Sequence, residues 1–129
     1  MTFNQFVIET RRTRPNAEQN AQAAVRLMNP KAINLLHATL GLVTEAAEIA
    51  DALKKHLFYG KEIDDVNVIE ELGDSAWYSA MAVDALETRI SQVLEKNIAK
   101  LRARYPEKFT EAAALNRDLE KEREVLECT

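Results

Sequence analysis

Cysteine is almost absent: Cys128 stands alone in 129 residues. A lone thiol excludes an internal disulfide and leaves no Cys/His zinc pattern, since the only histidines are His37 and His56. Glycine and proline number three each, which argues for long helices joined by few turns. No apolar run is long enough to span a bilayer, and no signal-peptide core is evident. The net charge of −4 speaks against nucleic acid as the main partner. These absences predict a cytoplasmic protein with no membrane partner. What is present is a chain 47% hydrophobic, long enough for a core, read as one domain over residues 1–129 with its core at about 31–109.

The fold class expected is all-α. Thr2 is a plausible cap for a short amphipathic helix carrying Phe3, Phe6 and Val7, which Arg14-Pro15 ends. Asn16 to Met28 allows a second short helix, with Ala21, Ala24, Val25 and Met28 on one face, and Asn29-Pro30 marks a boundary. From about Lys31 to His56, Ile33, Leu36, Leu40, Val43, Ala47, Ala50 and Leu53 recur at three and four, predicting a buried stripe. Asn34, His37, Gly41, Glu45, Glu48, Ala52 and Lys55 fall on a second, narrow face. Gly41 costs about 1 kcal/mol against alanine inside a helix, so it points to close approach of another helix or a ligand. A second long helix is expected from Val66 to about Leu86, with Val68, Ile69, Leu72, Ala76, Ser79, Ala80 and Val83 buried. A third, capped by Thr88 or Ser91, runs to about Tyr105 before Pro106, and a final helix capped by Thr110 covers about 110–127.

The chemistry-bearing pattern is a pair of Glu-x-x-acid motifs, Glu45 with Glu48 and Glu71 with Asp74. Residues three apart share a helix face. Both pairs are symmetric about Tyr59-Gly60, so a reversal there sets four carboxylates side by side in an antiparallel hairpin. Unrelieved, such acids repel and raise each other's pKa; a divalent cation resolves this. The alternative is that they are solvated helix faces. A di-iron site requires Glu-x-x-His, which is missing because Asn34 and Leu53 precede the two histidines by three residues. An all-carboxylate set suits Mg²⁺, with Mn²⁺ as substitute, and hence phosphoryl chemistry. Asn97, Lys100 and Arg104 share a face that offers a phosphate grip, or else a solvated basic surface.

GLVTEAAEIADALKK, EELGDSAWY and KNIAKLRARYPEKF, in that order, resemble the all-α nucleoside-triphosphate pyrophosphohydrolases of MazG-like type over roughly Leu35 to Phe109. The resemblance implies Mg²⁺-dependent hydrolysis of (deoxy)nucleoside triphosphates to monophosphate and pyrophosphate, serving nucleotide-pool sanitation. It implies that Glu45, Glu48, Glu71 and Asp74 hold the metal and that Glu48 is a candidate base, though spacing does not select among the four. Asn97, Lys100 and Arg104 match the family's basic block and would bind phosphates. Asn34, His37, Trp77 and Tyr78 are candidates for a base pocket, against simple packing. The family pairs protomers, so the resemblance implies a helical bundle whose four-helix core is completed by a homodimer or homotetramer. Phosphoribosyl-ATP pyrophosphohydrolase, which shares the metal pattern, and a non-catalytic helical nucleotide-binding or regulatory oligomer are the rival readings. Base and sugar preference, and the number of metal ions, are not written in these motifs.

Overall fold

The computed structural model describes residues 1–128. Along them lie α1 (Phe3–Thr13), α2 (Ala17–Leu27), α3 (Pro30–Tyr59), α4 (Asp65–Ala85), α5 (Ile90–Arg104), α6 (Glu111–Leu115) and α7 (Leu119–Cys128), with no strand among the described residues. Local chemistry explains most boundaries. Thr2 and Asn16 each close a capping box, with Gln5 and Gln19 respectively, at the starts of α1 and α2. Asn29 caps α3, and Pro30 sits where its missing N–H costs nothing. Gly60, left-handed at φ 66°, stops α3. Asp64 then starts α4 by accepting from the backbone N–H groups of Val66 and Asn67.

The central feature is the α3–α4 hairpin, whose helices make the most extensive contact in the chain. Its reversal falls at Gly60, as the symmetry of the acid pairs predicts. At its far end Leu86 closes α4, and Glu87 takes a left-handed φ of 53°. The N–H of Thr88 reaches the Val83 carbonyl at 3.2 Å and that of Glu87 reaches Asp84 at 2.8 Å, a Schellman arrangement achieved without glycine.

Which face of the hairpin is inside differs from the expectation. Ala38 and Gly41 are the buried residues of α3, flanked by half-buried Leu35, Leu42, Glu45, Ile49 and Ala52. This surface combines a second apolar stripe, Leu35, Ala38, Leu42 and Ile49, with Gly41, Glu45 and Ala52 of the narrow face, and it meets α4. The more apolar stripe points outward: Leu40 is 57% and Val43 62% exposed, with Ile33, Leu36 and Leu53 exposed beside them. On α4, Ile69 (68% exposed) and Leu72 are likewise outside, while Val68, Ser79 and Val83 are half-buried. A single hairpin can turn only one stripe of each helix toward its partner, and small residues with acids allow the closer approach. The described chain exposes 10672 Å², against about 6,900 Å² for a compact 14.6 kDa monomer.

The C-terminal third corrects two further expectations. Arg89, not Thr88 or Ser91, occupies the cap position of α5, and it makes no side-chain cap bond. Thr88 instead donates to Gln92 at 3.0 Å. The single final helix is two helices: Thr110 caps only the five residues of α6, and Asn116 ends it. The Asp118 carboxylate accepts the Lys121 N–H at 3.0 Å and restarts the chain as α7. Helix α7 lies back on α5, pinned by Lys96 donating to the Leu126 carbonyl at 2.6 Å.

Candidate functional site

Helix α3 carries Glu45 inward, and about one turn of α4, from Glu71 to Asp74, stands opposite it. One carboxylate oxygen from each of Glu45, Glu71 and Asp74 lies within 4.8 Å of the other two. Glu71 is the most enclosed, at 5% exposed. Its carboxylate accepts from Asn67 Nδ2 at 2.8 Å, one helical turn earlier. Thr44 donates to Glu45 at 3.1 Å. The Glu71 carboxyl is pushed up to about 7, first by its hydrogen bond with Glu45, then by burial and the Glu48 charge; Asn67 opposes the shift. Near neutral pH the group is therefore protonated in part of the population, and a bound cation would displace that proton.

The three acids fit a hard divalent ion. At Mg–O distances near 2.1 Å, two ligands of one ion stand at most about 4.2 Å apart. The separations, all within 4.8 Å, exceed that by at most about 0.6 Å, within reach of small side-chain rotations. All donors are oxygens, and three leave room for water or phosphate oxygens. The fourth acid expected here, Glu48, is set apart from the trio. It is exposed and lines a neighbouring cleft of about 590 Å³ at the turn end of the hairpin.

The remaining candidates divide. Tyr78, one turn beyond Asp74, stacks edge-on with Trp77 at 5.0 Å and with His37 at 6.0 Å. It also explains Gly41: a Cβ there would sit 2.3 Å from the Tyr78 ring. Three of the four base-pocket candidates thus form one ring cluster, while Asn34 is exposed and joins no ring contact. On α5, Asn97 is exposed and Lys100 half-buried. Arg104 is committed elsewhere: its Nε and Nη2 donate to Glu122 of α7 at 2.8 and 2.7 Å. Arg117 also donates to Glu122, at 3.3 and 2.7 Å. In this chain Arg104 holds α7 rather than presenting a free phosphate grip. The Glu122 carboxyl is held down at about 2, first by Arg104 and then by Arg117.

Sequence reading missed Asn67, which is legible as the residue one turn before Glu71. It also missed Asp51, three residues after Glu48 on α3, and Lys61, which the turn brings to the same cleft. Among the described residues no helix is long and apolar enough to cross a membrane.

Comparison with known proteins falls on the same segment. "Gene 37 protein" of Mycobacterium phage L5 is 38% identical over 76 residues, covering 54% of this chain and 65% of the phage protein, just under two thirds of its length. No solved structure matches the chain. The model of the MazG nucleotide pyrophosphohydrolase domain matches residues 34–109, more than half the chain and all four acids of the hairpin. The chain therefore belongs to the MazG nucleotide pyrophosphohydrolase family.

Proposed function

We propose that the protein hydrolyses (deoxy)nucleoside triphosphates to the monophosphate and pyrophosphate in a Mg²⁺-dependent reaction, as a nucleotide-pool sanitation enzyme of the cytoplasm. The observation that carries this reading is the convergence of Glu45, Glu71 and Asp74 within 4.8 Å. Family membership supports the reaction class.

In this reading Glu45, Glu71 and Asp74 hold the ion, with Asn67 and Thr44 orienting two of the carboxylates through the hydrogen bonds above. Bound there, Mg²⁺ or Mn²⁺ supplies charge neutralisation and polarisation of phosphoryl oxygens. Water attacks the α-phosphorus, the bond to the bridging oxygen breaks, and pyrophosphate leaves with the bonding pair. Glu48 takes the water proton. It suits that role because it lies one turn from Glu45 on α3, with its charge acting on Glu71, and is exposed to solvent with no ion pair among the described residues. The Tyr78–His37–Trp77 cluster lies about one helical turn from the acids and is suited to stack on the base.

The active form in this account is a homodimer or homotetramer. The outward Leu40–Val43 stripe of α3 and the Ile69–Leu72 surface of α4 support it, as does the excess surface of the lone chain. Each such side chain contributes about 1.5–3 kcal/mol when fully covered. A second protomer would also bring another α5, and with it Asn97 and Lys100, to a place that α5 of the same chain need not reach.

The test is turnover of a nucleotide panel, phosphoribosyl-ATP included, by the wild type, Glu48→Gln and Glu71→Gln. Expected is Mg²⁺-dependent hydrolysis of at least one nucleoside triphosphate, lost in both variants with unchanged helical circular dichroism. Near-normal rates in either variant would remove that residue from the mechanism.

A further inference from the structure

The hairpin orders three kinds of group along its axis. Along α3 they run His37, Gly41, Glu45, Glu48, Lys55; along α4 and its cap, in the opposite chain direction, Tyr78, Asp74, Glu71, Asn67 and the cap Asp64. Rings lie at one end, acids in the middle, and the cleft at the turn. A nucleoside triphosphate has the same order: base, α-phosphate, then the β- and γ-phosphates. Resting on the pyrophosphohydrolase reading of the acid site, we propose that the cleft at the turn receives the pyrophosphate end of the substrate, with Lys61 and Lys55 as its cationic contacts.

The cleft is large enough, since its volume of about 590 Å³ lies within the range of small-ligand sites. Its walls set Glu48, Asp51, Glu62 and Asp64 against Lys55 and Lys61. Two of those acids are already engaged. Asp51 pairs with Lys54 and, at 2.7 Å, with Lys55. Asp64 accepts two backbone N–H groups at the start of α4. Lys55 uses one of its three donors on Asp51 and has others to offer. Lys61 has no ion pair among the described residues. Its backbone is fixed by left-handed Gly60 before it and by His56 Nδ1, 2.8 Å from its carbonyl. The turn thus presents a cation at a set position beside the acids. The surplus of carboxylates means that a polyphosphate enters with its divalent ion rather than bare. Arg104, the alternative grip in this chain, is occupied by Glu122.

The experiment is calorimetric titration of the full chain with Mg²⁺-pyrophosphate, and separately with the nucleoside monophosphate of its best substrate or, lacking turnover, with AMP. Lys61→Ala should weaken pyrophosphate binding about tenfold, a typical effect of losing one charge-assisted hydrogen bond. Lys61→Glu should weaken it further, and Lys61→Arg should restore it. Monophosphate binding should stay within about twofold, because Lys61 lies beyond the α-phosphate. Lys61 is exposed, so these variants keep the fold. Wild-type pyrophosphate affinity in both Lys61→Ala and Lys61→Glu would overturn the proposal. So would equal losses for pyrophosphate and monophosphate, or no pyrophosphate binding by the wild type. If Lys61-dependent pyrophosphate binding is found without turnover of any triphosphate, the cleft stands and the hydrolase reading falls.

Discussion

Gly41→Ala tests the packing that sets the hairpin spacing. The added methyl would lie 2.3 Å from Cδ1 and Cε1 of Tyr78 and 2.4 Å from Cζ, where ordinary contact begins at 3.4 Å. The ring or the helix must give by about 1 Å, and overpacking of that kind costs about 1–3 kcal/mol. Against it stands the helix-propensity gain of about 1 kcal/mol for alanine over glycine. The net expectation is a loss of up to about 2 kcal/mol. Denaturant unfolding measures it directly. Because Tyr78 also meets Trp77 and His37, the displaced ring should raise KM for the nucleotide. The same substitution in a Tyr78→Ala background has nothing to strike and should gain about 1 kcal/mol. A Gly41→Ala single variant more stable than the wild type would show that the Tyr78 ring steps aside freely, and the account of this glycine would fail.

Three further outcomes are expected. Leu40→Asp puts a charge on the outward stripe of α3 and should lower the sedimentation mass to that of one chain while turnover falls; an undiminished assembly would show that this face is not the interface. In metal-free protein, Glu71 folded has its pKa raised from 4.5 to about 7, so the folded state binds the extra proton in that window. Its contribution is therefore full below pH 4.5 and is lost as pH rises through about 7. Melting curves should show wild type losing stability relative to Glu71→Gln across that range, with Mg²⁺ reversing the loss; parallel curves would contradict the shift. Glu122 has the opposite sign. Its folded pKa is lowered from 4.5 to about 2, so its contribution is present above pH 4.5 and is lost as pH falls through about 2. Hydrogen exchange should show α7 releasing from α5 on acidification before the α3–α4 hairpin opens, and a simultaneous release would refute that order.

Much of the fold, and the convergence of three of the four acids, was legible because it is local. Glu-x-x-acid spacing, the turn at Tyr59-Gly60, the cap at Thr2 and the boundary at Asn29-Pro30 act within one or two helical turns. The inside of α3 was not legible because the helix has two apolar stripes. Ile33–Leu40–Val43 is the richer, yet Leu35–Ala38–Leu42–Ile49 faces α4. Hydrophobicity reports that a face is to be covered, not whether by the same chain. The partner of Arg104 was not legible for a different reason. Its spacing with Asn97 and Lys100 is real, but its partner Glu122 lies 18 residues onward, past the break at Asn116–Asp118 that folds α7 back.

The most direct measurement is phosphorus-31 magnetic resonance of a nucleoside triphosphate incubated with the purified chain. With Mg²⁺ the signals of monophosphate and pyrophosphate should grow together, and a chelator should stop both. Diphosphate with free phosphate as products, or no change with any triphosphate by folded protein, would contradict the account.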